Sequence, residues 1–113
     1  MKHLDIDNSN GTIFIDNGHI KESVCIWKHK AFNKHRDDKN IFIETGTCAG
    51  SGVLAAQSVG FTNIHTIEIC NSRDYDIACN KFNGKENVNM YFGDSADILG
   101  NILNSINDPC FFG

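Results

Sequence analysis

Asn40-Ile41-Phe42-Ile43-Glu44-Thr45-Gly46-Thr47-Cys48-Ala49-Gly50-Ser51-Gly52, residues 40–52, decides how the rest of this 113-residue chain is read. A short, nearly continuous apolar run ends on an acid and gives way to a glycine-rich turn. Continuous rather than alternating hydrophobicity suits a strand buried on both faces, as in a parallel sheet. Val53 to Val59 then reads as a helix stopped at Gly60, a residue well suited to the left-handed position after a helix. A glycine-rich turn between a buried strand and a helix lets backbone approach a ligand without Cβ clashes and aims the helix's first N–H groups at it.

The same alternation continues downstream. Asn63-Ile64-His65-Thr66-Ile67-Glu68-Ile69 is a second apolar run closing on an acid, and residues 72–82 have helical spacing through Tyr75, Ile77, Ala78 and Phe82. Val88–Phe92 reads as a third strand, Gly93-Asp94-Ser95 as its turn, and Ala96–Ile106 as a helix capped by Asp94 or Ser95. Pro109-Cys110-Phe111-Phe112 opens a fourth strand. Strands alternating with helices predict an α/β domain, three layers around a parallel sheet with right-handed crossovers.

Upstream the pattern differs. Thr12-Ile13-Phe14-Ile15 and Ile20 flank Asp16-Asn17-Gly18, and Asn-Gly supplies the positive φ angles of a tight turn, so residues 12–22 read as a hairpin. An amphipathic helix follows from Ser23, its expected N-cap, to about Arg36, with Val24, Trp27, Ala31 and Phe32 on its packing side. Residues 1–38 are thus a hairpin-and-helix extension, and residues 39–113 a parallel α/β unit.

A hydrophobic fraction of 41%, a charged fraction of 21% and a net charge of −4 describe an ordinary folded domain. The basic cluster Lys28, Lys30, Lys34, His35 and Arg36 is followed at once by Asp37 and Asp38 and reads as a solvated helix face, so direct nucleic-acid binding is not expected. Five scattered cysteines in no two-residue spacing argue for free thiols rather than a zinc site or disulfide framework. His29 and His35 do not share a helical face, and no metal is expected. With neither an apolar leader nor a stretch of about 20 apolar residues, the expectation is a cytoplasmic chain without membrane contact.

Three acids end three successive strands: Glu44, Glu68 and Asp94. A buried carboxylate costs several kcal/mol unless paired or hydrogen-bonded, so Glu44 implies a polar or cationic partner. A carboxylate at the second strand end of a doubly wound sheet sits beside the turn, where it can accept both hydroxyls of a ribose.

Acid-x-Gly-x-x-x-Gly after the first strand, an acid closing the second and Gly-Asp-Ser after the third resemble the class I S-adenosylmethionine (SAM)-dependent methyltransferases. The span Ile41–Gly113 resembles in particular a bacterial and viral subgroup with Glu-Thr-Gly-Thr as its first motif. The resemblance implies that residues 39–113 are an incomplete, SAM-binding Rossmann-like half-domain, with the first four strands of that fold in spatial order 3-2-1-4 and SAM as cofactor. It implies that Gly46, Thr47, Cys48 and Gly50 form the turn under the methionine part, with Glu44 near its ammonium. It also implies Glu68 on the ribose diol, Ile69 against the adenine, and Asp94, beside Ser95, accepting from the adenine amino group. Cys48 stands where the family often has glycine, which narrows the turn. Substrate-side groups come from beyond the fourth strand in this family, so neither a catalytic residue nor the methyl acceptor is assigned.

Two other readings compete. Gly50-Ser51-Gly52-Val53-Leu54-Ala55 matches the Gly-x-Gly-x-x-Ala fingerprint of NAD(P)- or FAD-binding oxidoreductases, with Glu68 at a suitable remove. That fingerprint should follow the strand directly, however, and it gives Glu44 and Gly93-Asp94-Ser95 no role. The alternative is a truncated, non-catalytic remnant or interaction module. A chain ending at Gly113 makes the fourth strand an edge with Phe111 and Phe112 uncovered, which predicts marginal stability, little turnover and self-association along that edge.

Overall fold

The computed structural model describes residues 3–7, 12–16 and 21–113. Its elements are β1 (His3–Asp7), β2 (Thr12–Asp16), β3 (Lys21–Val24), α1 (Ile26–His35), β4 (Ile41–Thr45), α2 (Ser51–Val59), β5 (Asn63–Glu68), α3 (Arg73–Phe82), β6 (Val88–Phe92), α4 (Ser95–Ser105) and β7 (Cys110–Phe112). Strands β4 to β7 form a parallel sheet in the order β6-β5-β4-β7, which in strand count from Ile41 is the expected 3-2-1-4. The fold is α/β and Rossmann-like, with helices on both faces of the sheet.

Burial explains the apolar runs. Ile41, Phe42, Ile43 and Glu44 of β4 are all buried, because β4 has strands on both sides and packed layers above and below. On one face, Phe42 and Ile64 join Val53, Leu54, Ala55, Ala56 and Val59 of α2 and Ala78 and Phe82 of α3 in one core. On the other, Ile41, Ile43 and Ile67 pack with Ile102 of α4. Helix α2 is buried along nearly its whole length. It ends where expected: Gly60, at φ 100°, donates its N–H to Ala56 and Gln57, conserving hydrogen bonds that a β-carbon would strain.

The N-terminal region is richer than a hairpin. Thr12–Asp16 and Lys21–Val24 do pair antiparallel, but β1 adds a third strand that the polar opening segment did not announce. The turn expected at Asn17-Gly18 falls outside the described residues. Ile13, Ile15 and Val24 of this small sheet are buried in the same core as α2.

Helix α1 departs from expectation in three ways. Ser23 belongs to β3, and the N-cap is Cys25, whose side chain makes no capping bond. Trp27, expected to pack, is 75% exposed, with the Lys30 ammonium 5.6 Å from its ring centroid. No α1 residue is fully buried, because the helix lies along the outside of α2; Ile26 and Phe32 pack against the core, and His29 shares a 2.7 Å hydrogen bond with the buried Ser58. The basic cluster is also more than a solvated face. Arg36 donates to the carbonyls of Lys39 and Val59, the latter at 2.6 Å, and stacks on Phe61.

Strand β7 borders the sheet, yet Phe111 is not uncovered. Its ring lies 5.3 Å from Phe32, 5.5 Å from Phe61 and 5.9 Å from Phe42, so α1 shields it; Phe112 remains exposed. All five cysteines are free. Among the described residues no helix is long and apolar enough to cross a membrane.

Candidate functional site

The turn 46–50 leaves β4 at the carboxyl edge of the sheet, where α/β folds bind ligands. Gly46 donates to Ile67 at 2.7 Å, and Gly50 donates to Thr47 at 3.0 Å. Both glycines have positive φ, 85° and 98°. A β-carbon on Gly46 would meet nothing within 4 Å, so the turn's outer side is open. One on Gly50 would strike the Phe82 ring at 2.6 Å, which is how closely α3 braces the turn. Cys48 also takes a left-handed conformation, φ 49°. Cys48 thus keeps a backbone shape that glycine adopts more easily, and its side chain points outward, exposed.

Glu44 is buried, with a carboxylate oxygen accepting from the Thr66 hydroxyl at 2.8 Å. Thr66 in turn shares a 2.7 Å hydrogen bond with Thr47, which is also buried. Thr47 therefore faces the protein interior, and only its backbone is available to the turn's outer side. The other Glu44 oxygen occupies the space that a β-carbon on Gly52 would need, so the first turn of α2 rests against this carboxyl. Burial raises the Glu44 pKa to about 7; the Thr66 bond and the Lys28 charge oppose the rise, and the Glu68 charge adds to it.

Glu68 is tuned the other way. One oxygen accepts from the Cys48 amide at 3.0 Å, the other from the amides of Ile69 and Cys70 at 3.0 and 3.1 Å. These bonds, the Cys48 and Cys70 amides foremost, hold its pKa below the ordinary value. A carboxylate has about four lone-pair sites, so this one retains room for a hydroxyl donor on its Cys48-facing oxygen.

Asp94 lies two residues past Phe92, the register partner of Glu68. Its carboxylate caps α4, accepting from Ala96 at 2.9 Å and Asp97 at 3.2 Å, and it is exposed. Ser95 is the half-buried first residue of α4. Ile69 is 60% exposed and Phe92 54% exposed, each at a strand end on the same edge. Beyond Glu44 a cleft of about 200 Å³, lined by Ile43, Glu44, Thr45, Leu99, Phe112 and Gly113, opens between the ends of β4 and β7. The strand order reverses there.

Glu44 and Glu68 are thus brought together around an open backbone turn, with Asp94 one strand further on. The chemistry on offer is an acid near its ionisation point, a carboxylate fixed in its charged form, and apolar strand ends. Four contributors were missing from the sequence reading: Gly52, Thr66, Phe92 and Lys28. Thr66 was recoverable, since it precedes Glu68 by one strand repeat and shares its face. Lys28 was not, because only the tertiary packing of α1 carries it to Ser51, 2.5 Å from the hydroxyl.

No family model matches the sequence, and no curated protein matches it. Among solved structures the chain is similar to an O-methyltransferase from Bacillus cereus in complex with SAH. The TM-score is 0.59 at 19% identity, over 77% of this chain and 42% of that one. A protein-L-isoaspartate O-methyltransferase aligns with TM-score 0.49 at 20% identity, over 70% of this chain and 27% of that one. The first likeness shows that this chain shares the Rossmann-like α/β fold of that protein, and this chain spans less than half of that protein's length.

Proposed function

We propose that this chain binds SAM and forms the cofactor-holding part of a SAM-dependent methyltransferase. The observation that carries the reading is the pairing of Glu44 and Glu68 at adjacent strand ends around a turn that leaves the Gly46 side open. The structural neighbour in complex with SAH has the same fold, which supports the choice of ligand class. Glu44 takes the ammonium of the amino-acid end, Glu68 a ribose hydroxyl, and Ile69 and the neighbouring Phe92 offer apolar surface to the adenine. The backbone of Gly46, Thr47, Cys48 and Gly50 forms the floor, while Asp94 and Ser95 line the adenine end.

When bound, the cofactor supplies a sulfonium-activated methyl group. The protein's share of such a transfer is mainly orientation, which contributes roughly 7–11 kcal/mol in well-aligned reactions. The 200 Å³ cleft between β4 and β7, beside Glu44, is where an acceptor would approach. The dinucleotide reading fits less well, because four residues separate the end of β4 from Gly50, where the fingerprint begins, and it gives Glu44 no ligand to meet.

Calorimetric titration with S-adenosylhomocysteine and, separately, NAD tests the proposal. Saturable binding of the first and none of the second is expected, with Glu68→Ala lowering affinity at least tenfold. Binding of NAD alone would replace this reading with the dinucleotide one.

A further inference from the structure

An ammonium and an ionisable carboxyl flank the start of α2, and they come from different parts of the chain. Glu44, at the end of β4, fills the space beside Gly52. Lys28, on the first turn of α1, donates its ammonium to Ser51, the adjacent residue, at 2.5 Å. The two side chains are close enough to act on each other electrostatically. They do not form an ion pair of their own, however, since the Lys28 ammonium is committed to the Ser51 hydroxyl and a Glu44 oxygen to Thr66.

A cation and an anion held apart at neighbouring backbone positions are complementary to a group carrying both charges on one carbon. An α-amino acid zwitterion has that form. We infer that Lys28 is a cofactor-positioning residue: its ammonium receives the α-carboxylate of the ligand's amino-acid end while Glu44 receives the α-ammonium. The inference rests on the SAM reading and extends it. It gives the segment before β4 a role in recognition, and selectivity for zwitterionic adenosyl ligands over those lacking the carboxylate.

Nothing in the packing around Lys28 calls for a cation there. The residue is exposed, and Ser51 needs no cation to satisfy a surface hydroxyl. An ammonium–carboxylate bond, charged on both sides, is stronger than the ammonium–hydroxyl bond to Ser51, charged on the donor side only, so the ammonium gains by transferring to the ligand.

Three ligands separate the possibilities: S-adenosylhomocysteine, 5′-methylthioadenosine, which has no amino-acid end, and decarboxylated S-adenosylmethionine, which has the amine without the carboxylate. For Lys28→Met, affinity for the first should fall about tenfold or more, and affinity for the other two should stay within twofold of wild type. Lys28→Arg should recover most of the loss. Thermal unfolding of each variant by circular dichroism gives an independent check that the fold is intact. An unchanged S-adenosylhomocysteine affinity in Lys28→Met, or an equal loss for all three ligands, overturns the inference and leaves the SAM reading standing. A wild-type chain that binds none of the three overturns both.

Discussion

At the scale of single residues, the two glutamates answer pH in opposite directions. A carboxyl whose folded pKa is raised, as at Glu44, adds stability that is complete below its unfolded value near 4.5 and is lost as pH rises through about 7. Glu68, with a lowered pKa, adds stability above its unfolded value that is lost as pH falls through the folded one. If Glu44 meets a cationic ammonium, ligand binding pulls its proton off. S-adenosylhomocysteine affinity should therefore rise by up to about tenfold per pH unit on approaching pH 7 and level off above it. Calorimetry in two buffers of different ionisation enthalpy should register proton release near pH 6. Glu44→Gln should bind more weakly at pH 8 and lose the slope; a slope retained by that variant rules Glu44 out as its source. Gly52 is tied to the same carboxyl. A β-carbon at this position overlaps the Glu44 oxygen, so Gly52→Ala should cost about 1–3 kcal/mol through forced displacement of packed atoms. Glu44→Ala should abolish most of that penalty, and a double-mutant cycle in chemical denaturation reads the coupling directly.

At the scale of elements, the cap that Asp94 forms on α4 can be separated from its proposed place at the adenine end. As the N-cap of α4 it satisfies two backbone amides, and removing such a cap costs about 0.5–2 kcal/mol. Asparagine caps nearly as well as aspartate but carries no charge. Asp94→Ala should lower the unfolding midpoint while Asp94→Asn leaves it nearly unchanged. Weakened adenosine-ligand binding in Asp94→Asn would then belong to the site alone, and undiminished binding would remove Asp94 from it. The elements themselves were largely legible. The run Ile41–Glu44 is continuous because β4 is covered on all sides, and Gly60 marks the end of α2 because its left-handed φ excludes most other residues. The start of α1 was not legible, since Ser23 has the right chemistry for a cap but its backbone is already paired with Phe14 in β2. Nor was β1, whose partner strand is visible in the sequence only from the opposite side. Trp27 misled for a related reason: helical spacing says which residues share a face, not whether anything covers that face.

At the scale of the whole molecule, the N-terminal sheet and the Rossmann-like sheet are joined by one core rather than by a linker. Ile13, Ile15 and Val24 pack with the buried residues of α2, and Phe32 carries α1 onto Phe42 and Phe111. Since α2 begins at Ser51 and Gly52, the small sheet buttresses the helix that shapes the candidate site. Stability should therefore be shared, with a single cooperative unfolding transition. Ile15→Ala tests this, because Ile15 is fully buried yet belongs to β2, far in sequence from β4 and β5. Truncating a buried isoleucine costs about 2–5 kcal/mol, a large part of the margin of so small a domain. The loss should appear as a lower midpoint for the entire far-ultraviolet transition and as faster hydrogen exchange at the amides of Phe42, Ile43, Thr66 and Ile67. Were the N-terminal strands an independently folding appendage, exchange would quicken only in β2 and β3, and the amides of β4 and β5 would keep their protection. In a shared core the damage reaches the turn as well, so the variant should bind S-adenosylhomocysteine less tightly as temperature approaches its midpoint, while matching wild type well below it.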